Sequence, residues 1–458
     1  MFLEDVEKCA NEFRNLVEGR KVKLISHHDA DGITSAAIIA KALLRCGVDF
    51  EMKIVKQLTS NLIQNLKVED EVLMFTDLGS GQLDRLADIA RKTDVVVLDH
   101  HEIVNFKETG NILHLNPRMY GMYFSASILT YVFSKFLDPK NVDCVDLAIV
   151  GAVGDEQDEK WEMKGFAREI LEEGVRIGKI SLQKGLRLYG RYSRPLHKAL
   201  EYSFDPFIPS ISGSESNAVQ LLAELGIPIR TEEGWRRLKD LTEEEERKLA
   251  TAIIVERLKL SLENAHDIFG EIYTIIERPE RIRDAREFAT LLNACGRLGF
   301  PDIGIRLCLG DYSVMTTAEN LMEEYRRRIG EYLEMIREEN YLRKGENAYF
   351  LMMKDRVPDT MIGTLTSIVT SSNILEEKKP VFGMVYTEEN KIKISARVPP
   401  NIDLNLRDIL CKVVEKIGGE AGGHERAAGA LIDKSMEEDF VYIIDSKIGE
   451  LLAKERKG

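Results

Sequence analysis

The sequence predicts an α/β protein with a mostly parallel sheet, followed by a mainly helical middle region and a smaller α/β domain. Strand-like apolar runs alternate with helix-like stretches in the first part of the chain, as is typical of a parallel sheet. The middle begins with prolines and then becomes helical, and short strands return after it. At 458 residues the chain is long enough for two or three domains. The predicted regions are 1–190, an inserted middle region at 191–315, a connecting helix at 316–343, and 344–458.

Four apolar segments in the first region share one pattern, in which a strand-like run delivers acidic residues at its carboxyl end. A helix is predicted from Ile33 to about Cys46, after the first segment. Because parallel strands end at the same edge of a sheet, we expect the residues that follow the four segments to lie close together. The segments are Lys21–Ser26, Val72–Thr76, Val95–Leu98 and Val145–Val153.

The side chains that follow these segments can all bind a metal. Carboxylates and imidazoles without a thiolate favour Mn²⁺ or Mg²⁺, and Mn²⁺ is preferred because imidazole suits it better. Two such ions, roughly 3.5–4 Å apart, would neutralise a phosphoryl group and activate a water near neutral pH. The residues are His27, His28, Asp29 and Asp31, then Asp77, then Asp99, His100 and His101, and finally Asp155.

These motifs resemble those of a known family. SHHDADGIT, TDLG, DHH and GAVGD, in this order, are similar to the four motifs of the DHH phosphoesterase superfamily. GGEAGGHERAAG resembles the glycine–histidine motif of the DHH-associated C-terminal domain, and NACGR at 293–297 is similar to a segment of RecJ-type exonucleases. The length, the inserted region and the first motif most resemble archaeal RecJ-like nucleases of the GINS-associated type.

The resemblance implies a role for each residue of the metal site. Asp77 would bridge the two ions, and Asp29 with a preceding histidine would hold one of them. We prefer His27 for that histidine, while His28 stays open, because Ile25 stands where several DHH proteins place it. The other ion would be held by Asp31, His100 and Asp155.

Two further residues of the DHH tripeptide are expected beside the metals. His101 resembles the family's second histidine, which lies near the substrate phosphate, and Asp99 is expected to orient an imidazole. An ordinary hydrogen-bonded polar residue is the alternative for both. The catalytic set implied by the resemblance is Asp29, Asp31, Asp77, His100, His101 and Asp155.

Phosphate recognition is expected from the second half of the chain. Ile392 to Val398 alternates as a strand and places Ser395 and Arg397 on one face, where arginine can grip phosphate with two hydrogen bonds. A glycine-rich loop after the helix-like segment 406–417 would let backbone N–H groups approach an anion. Arg297 is expected either to bind a further phosphate or to form a structural salt bridge. The loop residues in question are Gly422, Gly423 and His424.

The net charge of −14 argues against a surface that coats nucleic acid, so a polyanion would need a local basic channel. Gly174 to Leu200 contains no acidic residue, and its cations alternate with Tyr189 and Tyr192, a mixture that can follow a nucleic-acid backbone and stack bases. A solvated helix face is the alternative. The cations are Arg176, Lys179, Lys184, Arg187, Arg191, Arg194 and Lys198.

Six scattered cysteines without a C-x-x-C pair indicate reduced core residues. The amphipathic N-terminus is not a signal peptide or membrane anchor, and no window is apolar enough to span a membrane, so a cytoplasmic protein is expected.

The sequence therefore predicts a two-metal exonuclease that releases mononucleotides from single-stranded DNA or RNA, in replication or repair. A DHH phosphodiesterase acting on short oligonucleotides or cyclic dinucleotides is one alternative. A replisome scaffold is another, since relatives in eukaryotic replicative helicases resemble the family but lack an intact metal set. The resemblance also implies the GINS complex as a partner. No residue decides between 5′-to-3′ and 3′-to-5′ digestion.

Overall fold

The first part of the chain folds around a five-stranded parallel sheet with the order β2-β1-β3-β4-β5. The computed structural model describes residues 1–103, 111–203, 206–259, 265–338, 341–372, 375–399 and 402–455. The strands are β1 Val22–His27, β2 Phe50–Val55, β3 Val72–Thr76, β4 Val95–Leu98 and β5 Ile112–Leu115. The helices are α1 Phe2–Leu16, α2 Ala30–Cys46, α3 Ser60–Gln64, α4 Leu83–Ile89, α5 Ala126–Leu137, α6 Val145–Gly154 and α7 Gly165–Arg176.

Helices cover both faces of this sheet. Every residue of β3 and β4 is buried, as central strands of a parallel sheet require. Met74 and Val96 point into the core shared with α2, α5 and α6, whereas Phe75 and Val97 pack on the side of α3 and α4. The continuous apolar runs that predicted these strands therefore reflect burial on both faces.

The expectation of a strand-like segment at Val145–Val153 is wrong, because this stretch forms α6. All nine residues are buried, and α6 packs against α2, α5 and α7. A helix buried on all sides is as uniformly apolar as a central strand, so the sequence lacks the period that would distinguish them. Asp155 thus follows a helix rather than a strand.

The middle of the chain contributes to two hydrophobic cores, one of its own and the core of the first part. Residues between Leu186 and Ile268 form a core of their own, while α11 and α12 pack against α2 of the first part. β6 pairs with β9 in an antiparallel ribbon. The elements are β6 Ile180–Leu186, α8 Leu196–Glu201, α9 Glu215–Glu224, β7 Arg230–Thr231, β8 Gly234–Trp235, α10 Glu243–Lys259, β9 Phe269–Ile275, α11 Ala285–Arg297 and α12 Pro301–Cys308.

The long charged helix, α13, runs from Met315 to Glu338 and so ends before the predicted residue 343. Leu342–Lys344 instead forms β10, because it pairs with the antiparallel strand β11, Tyr349–Lys354. Tyr325 is among the buried residues of α13.

The last part is a six-stranded sheet with the order β10-β11-β12-β13-β15-β14, packed against helices. The predicted fold class is confirmed, and the division into four regions stays a prediction. No helix of the described ranges has the length and apolar character needed to cross a bilayer. The remaining elements are α14 Ile362–Ser371, β12 Val381–Tyr386, β13 Lys391–Arg397, α15 Leu406–Ile417, β14 Glu420–Gly423, β15 Ala427–Asp433 and α16 Glu437–Glu455.

Candidate metal centre and substrate cleft

The strand order brings the predicted ligands together. β1, β3 and β4 are neighbours in the sheet and run in the same direction. His27 is the last residue of β1, Asp77 follows β3 directly, and Asp99 follows β4 directly. The three strands therefore deliver their polar residues to one edge of the sheet, as the sequence predicted.

The two aspartates of the first motif also organise helix termini. One carboxylate oxygen of Asp29 accepts a hydrogen bond of 3.0 Å from the N–H of Gly32 and caps α2. Asp31, in the first turn of α2, accepts hydrogen bonds of 2.8 and 2.9 Å from the N–H groups of Ala126 and Ser127. Asp31 thus ties α2 to the N-terminus of α5 while its carboxylate stays beside the candidate centre.

Asp77 lies at the middle of the site. Its Oδ2 is 3.4 Å from Nδ1 of His27, and its Oδ1 is 3.3 Å from Nε2 of His100. It belongs to one group of possible metal ligands with His27 and Asp29, to a second with Asp31 and His100, and to a third with Asp99 and His101. Within each group the ligand atoms lie within 4.8 Å of one another. One carboxylate shared by two such groups is the arrangement expected of a bridging ligand.

The donor atoms at this centre suit a divalent cation. Both oxygens of Asp77, both ring nitrogens of His100 and Nδ1 of His27 are buried and form no well-aligned hydrogen bond. Burial, together with the charges of Asp77 and Asp155, raises the pKa of Asp31 well above its usual range. Buried donors without partners and carboxylates that repel each other are both relieved by a bound cation.

The structure distinguishes the two histidines of the first motif. Nδ1 of His27 lies 2.8 Å from Asp29, and although burial opposes protonation, the charges of Asp29 and Asp77 raise the pKa of His27 to about 10. Burial lowers the pKa of His28 well below its usual range, and the charges of His27, Lys393 and Arg297 add to this effect, against the charge of Asp29. His27 therefore faces the carboxylates, and His28 lies near positive charge.

Asp155 approaches the centre from another side. Its Oδ2 lies 3.6 Å from Nδ1 of His100, opposite the nitrogen that faces Asp77, and it accepts a hydrogen bond of 2.8 Å from Gln157. Burial and the charge of Asp77 raise the pKa of Asp155 to about 6, against the effect of His100. Among the described residues, Asp155 is outside the groups whose ligand atoms all lie within 4.8 Å.

Asp99 acts on the side chain of His101. One carboxylate oxygen accepts hydrogen bonds of 2.8 Å from the N–H of His100 and from Nδ1 of His101. The other oxygen accepts a hydrogen bond of 2.8 Å from the N–H of Ser80. Asn116, which sequence reasoning missed, donates to the carbonyl of His101 at 2.7 Å. The proton of His101 is thereby held on Nδ1, and Nε2 is left for another partner.

A cluster of basic residues lies beside the metal centre, as expected for Arg397 and Ser395. Nη1 of Arg397 donates a hydrogen bond of 3.3 Å to the hydroxyl of Ser395, and its Nε donates one of 2.9 Å to the hydroxyl of Ser367 in α14. Arg297 donates a hydrogen bond of 2.8 Å to the hydroxyl of Tyr325. The salt bridge that was the alternative role for Arg297 is not formed with any described residue. We call Arg297, Lys393, Ser395 and Arg397 the phosphate clamp.

Lys393 is a member that sequence reasoning missed. Burial lowers its pKa, and the charges of Lys56 and Arg297 add to this effect, against the charge of Asp359. Lys393 has the same parity in β13 as Ser395 and Arg397, so the alternation that identified those two residues could also have identified it.

Gly296 of the NACGR segment allows helix α11 to approach the first motif closely. A Cβ atom there would lie 1.6 Å from the carbonyl oxygen of His28, so only glycine permits this approach. In the same segment, Asn293 accepts a hydrogen bond of 3.0 Å from the N–H of Ala30. The segment therefore holds α11 against the first motif and sets Arg297 beside it.

The glycine-rich segment was predicted as a loop, but residues 420–423 form β14, an edge strand paired with β15. Because the hairpin turns after Gly423, it carries His424 across the cleft to the DHH tripeptide, where its ring stacks on His101 with centroids 5.4 Å apart. Arg118, which sequence reasoning missed, donates 2.8 Å to the carbonyl of His100 and lies 3.3 Å from Nδ1 of His424. Burial and the charges of His101, His100 and Arg118 lower the pKa of His424 to about 3.

The basic segment 174–200 is largely neutralised. Its ion pairs join Lys179 to Glu277, Arg187 to Asp267, Arg191 to Glu246 and Lys198 to both Glu201 and Glu215. Arg176 and Lys184 are exposed, and Arg194 stacks on tyrosines. The segment is therefore not one continuous basic channel.

Three family models match successive parts of the chain. The N-terminal domain of the DHH family matches residues 21–152, the DHH-CID domain matches 188–267, and the DHHA1 domain matches 350–450. The chain belongs to the DHH superfamily and is RecJ-like. Members of this family are metal-dependent phosphoesterases, which supports a hydrolase as the class of activity.

Two relatives are similar in sequence. An uncharacterized protein of Methanocaldococcus jannaschii is 29% identical over 466 residues, which cover 98% of this chain and 99% of the relative. The single-stranded-DNA-specific exonuclease RecJ of Thermus thermophilus is 25% identical over 225 residues, 45% of this chain and 33% of RecJ. The likeness to RecJ in sequence is thus partial, whereas the likeness to the uncharacterized relative extends over both chains.

Two solved structures share the fold. CDC45 from Entamoeba histolytica matches with a TM-score of 0.65 and 14% identity, over 98% of this chain and 99% of that chain. RecJ of Thermus thermophilus in complex with Mn²⁺ matches with a TM-score of 0.58 and 17% identity, over 98% of this chain and 55% of RecJ. The same RecJ is also known in complex with Mg²⁺.

Proposed function

We propose that this protein is an exonuclease that hydrolyses the terminal phosphodiester bonds of single-stranded DNA or RNA and releases mononucleotides, in replication or repair. The observation that carries the proposal is the position of Asp77, whose two oxygens face two separate groups of possible metal ligands. The phosphate clamp lies beside these groups, near His28. A metal-binding centre next to a cation-lined anion site is what phosphodiester hydrolysis requires of a protein.

Two divalent ions, Mn²⁺ by preference and Mg²⁺ as the alternative, would be held by His27, Asp29, Asp31, Asp77 and His100, with Asp155 beside His100. When bound, such ions supply charge neutralisation at the phosphoryl group and activation of water. Asp31 and Asp29 hold their positions because both also cap helices.

The phosphate clamp would bind a phosphate of the terminal nucleotide. Arg397 is half-buried and is held by hydrogen bonds to Ser367 and Ser395, so its guanidinium loses little rotamer freedom when an anion binds. Burial and the charge of Arg297 lower the pKa of Arg397, against the charge of Glu156. An incoming phosphate would relieve this repulsion between like charges.

His424 would donate a hydrogen bond to the substrate. Because Arg118 lies against its Nδ1 as a donor, the proton of the neutral imidazole sits on Nε2. The ring stacks on His101, whose Nε2 is also free of the Asp99 hydrogen bond. His424 can therefore donate its Nε2–H to a phosphate oxygen, and His101 can donate from Nε2 when its imidazole is protonated.

Contacts across the cleft favour a single strand over a duplex. Ser60 donates a hydrogen bond of 2.7 Å to the carboxylate of Glu420, and Arg85 forms an ion pair of 3.1 Å with the same carboxylate. A second contact is the ion pair between Arg407 and Glu102. These contacts join the first part of the chain to β14 and α15, and we infer that they leave room for a single strand rather than a duplex.

The test is digestion of strands labelled at either end, as DNA and as RNA, with Mn²⁺ or Mg²⁺. Single-nucleotide products from one end of a long strand support the proposal and also give the polarity. Hydrolysis confined to dinucleotides, very short oligonucleotides or cyclic dinucleotides would identify the alternative, a short-substrate DHH phosphodiesterase. Endonucleolytic fragments, or no hydrolysis with either metal, would contradict the proposal.

A replisome scaffold that binds the GINS complex is the second candidate. The likeness to CDC45, which extends over nearly the whole of both chains, favours it. The two candidates differ in a measurable way, since a scaffold has no need of the ligand groups around Asp77. Binding to purified GINS by the wild type, without hydrolysis of any strand, would favour the scaffold over the exonuclease.

A further inference from the structure

Arg194 and Arg326 are two neighbouring cations outside the candidate centre that lack an acidic partner. Neither guanidinium forms an ion pair with any residue in the described ranges. Burial lowers the pKa of Arg194, and the like charge of Arg326 adds to this effect. Glu287, whose charge acts on Arg194, already accepts a hydrogen bond of 2.8 Å from the N–H of Tyr192. Two adjacent guanidiniums of this kind attract an anion.

The position of Arg194 is held by its packing. Its guanidinium carbon lies 4.7 Å from the ring centroid of Tyr189 and 5.1 Å from that of Tyr202. A Cβ atom at Gly190 would lie 2.7 Å from the aliphatic stem of Arg194, so glycine makes room for this stem. Tyr202 is 49% exposed, and Nζ of Lys198 also lies 5.7 Å from its ring centroid. The arrangement combines fixed cations with an accessible aromatic ring.

Helix α11 connects this pair to the phosphate clamp. Tyr189 lies within hydrogen-bonding reach of Thr290, and Arg297 of the clamp follows seven residues later on the same helix. Seven residues are close to two turns, so Thr290 and Arg297 share a face and are about 10 Å apart along the axis. Arg326 is the neighbour of Tyr325, which bonds Arg297. Tyr189, on which Arg194 packs, therefore meets α11 about two turns from Arg297 of the clamp.

We propose that Arg194, Arg326 and Tyr202 form a second nucleic-acid subsite, in which the guanidiniums bind a backbone phosphate and the tyrosine stacks a base. The ligand is the part of a single strand beyond the nucleotide held at the clamp, and this identity rests on the proposed function. An acidic protein segment would satisfy the charges alone. The exposed ring and the connection to the clamp through α11 favour nucleic acid, since arginine with an aromatic platform is the usual combination for single strands.

The test measures strand affinity by fluorescence anisotropy, in an Asp77→Asn background so that strands stay intact. A labelled dinucleotide and a labelled strand of about 12 nucleotides are compared, a length within the usual range of single-strand sites. Arg326→Ala and Tyr202→Ala should each reduce, about fivefold or more, the gain in affinity that the longer strand provides. Arg326→Ala should also lower the slope of log affinity against log salt by about 0.7.

Matched variants separate binding from structure. Arg327, the next residue of α13, is 57% exposed and is ion-paired with Glu324 and Glu331, so Arg327→Ala should leave the gain unchanged. Tyr202→Phe retains the ring and should keep the affinity. Thermal unfolding identifies a variant that fails to fold, in which case the other substitution decides.

The outcomes are distinct. An unchanged gain in both alanine variants, or a loss in Tyr202→Phe equal to that in Tyr202→Ala, would overturn the subsite. Competition by poly-glutamate as strong as that by the unlabelled strand would overturn it in favour of an acidic protein ligand. If the wild type hydrolyses no strand but the alanine variants still bind the longer strand less well, the exonuclease proposal fails and the subsite stands.

Discussion

The carboxylate of Asp99 accepts a 2.8 Å hydrogen bond from Nδ1 of His101 and so determines which imidazole nitrogen faces the cleft. The same carboxylate accepts the N–H of Ser80 and of His100, which fixes its own position. Asp99 follows β4 directly, and with Asp77 and His101 it forms a further group whose possible ligand atoms lie within 4.8 Å of one another, so its role as an orienting group or as a ligand can be tested.

Replacing Asp99 with asparagine keeps an acceptor but removes the charge that holds the proton on Nδ1 of His101. We expect the rate of hydrolysis to fall roughly 10–100-fold, the usual effect of losing a partner that orients an imidazole. Steady-state kinetics with a labelled strand measures this. Calorimetric titration with Mn²⁺ is the control, because a loss of metal binding as large as that of Asp77→Asn would make Asp99 a ligand.

Asp77→Asn should abolish hydrolysis while the fold is retained. Asp77 has a positive φ of 59°, a conformation that asparagine adopts more readily than alanine, so the asparagine variant is the cleaner test. Loss of a carboxylate shared by two ions should reduce the rate on the order of 10³-fold or more. Circular dichroism verifies the fold, and a rate near that of the wild type would show that Asp77 does not bridge.

His27 and His28 should behave differently when each is changed to glutamine. His27→Gln removes the imidazole beside Asp29 and Asp77 and should weaken Mn²⁺ binding. His28→Gln should weaken strand binding with little change in metal affinity, because His28 lies near Lys393 and Arg297. Calorimetry with Mn²⁺ and anisotropy with a labelled strand separate the two. Equal effects on metal binding would contradict this division.

Arg397→Ala should raise KM for a strand more than it lowers kcat, with metal affinity retained. Its guanidinium is fixed by Ser367 and Ser395, so Arg397→Lys, which keeps the charge but not the planar fork, should restore only part of the loss. Kinetics on a strand of fixed length measures both parameters. Loss of Mn²⁺ binding in the alanine variant would place Arg397 in the metal site instead of the phosphate clamp.

The convergence of the acidic motifs could be predicted because parallel strands all end at one edge of a sheet. Asp77 and Asp99 follow the adjacent strands β3 and β4, and this needs only local patterns and the rule for parallel sheets. Asp155 arrives at the same place from a helix. Its motif therefore predicted the right location for a wrong structural reason, since a helix and a strand buried on all sides have the same composition.

Contacts between the two lobes could not be predicted from the sequence. Arg118 and His424 are 306 residues apart, and no local pattern around Arg118 indicates a partner. Lys393 is a different case, because its place in the alternation of β13 was visible, yet an isolated lysine next to Ser395 and Arg397 is also typical of a solvated strand face. Whether Lys393 belongs to the phosphate clamp or to a solvated face depends on how the two lobes pack.

Glu287 should make the protein's stability depend on pH. Burial and the charge of Asp284 raise its pKa to about 7, from an ordinary value of 4.5. Below about pH 4.5 the carboxyl is protonated in both folded and unfolded chains and has no effect. Between about pH 4.5 and 7 the unfolded chain releases the proton first, so the free energy of unfolding decreases as pH rises. Above pH 7 this loss of stability is constant.

Glu287→Gln removes this pH-dependent loss of stability. The stability of the variant relative to the wild type should therefore rise on the order of 2 kcal/mol from pH 4.5 to 8, at about 1.4 kcal/mol per pH unit at most.

Denaturant unfolding at a series of pH values measures the difference, and Glu323→Gln, at an exposed position of α13, is the matched control. Glutamine can still accept the N–H of Tyr192, so the hydrogen bond itself is kept. A difference between Glu287→Gln and the wild type that stays constant across this pH range would show that the carboxyl is charged at the same pH in both states. Glu287 would then serve as a permanent counter-charge for Arg194, and anion binding at Arg194 and Arg326 would be weaker than the second subsite requires.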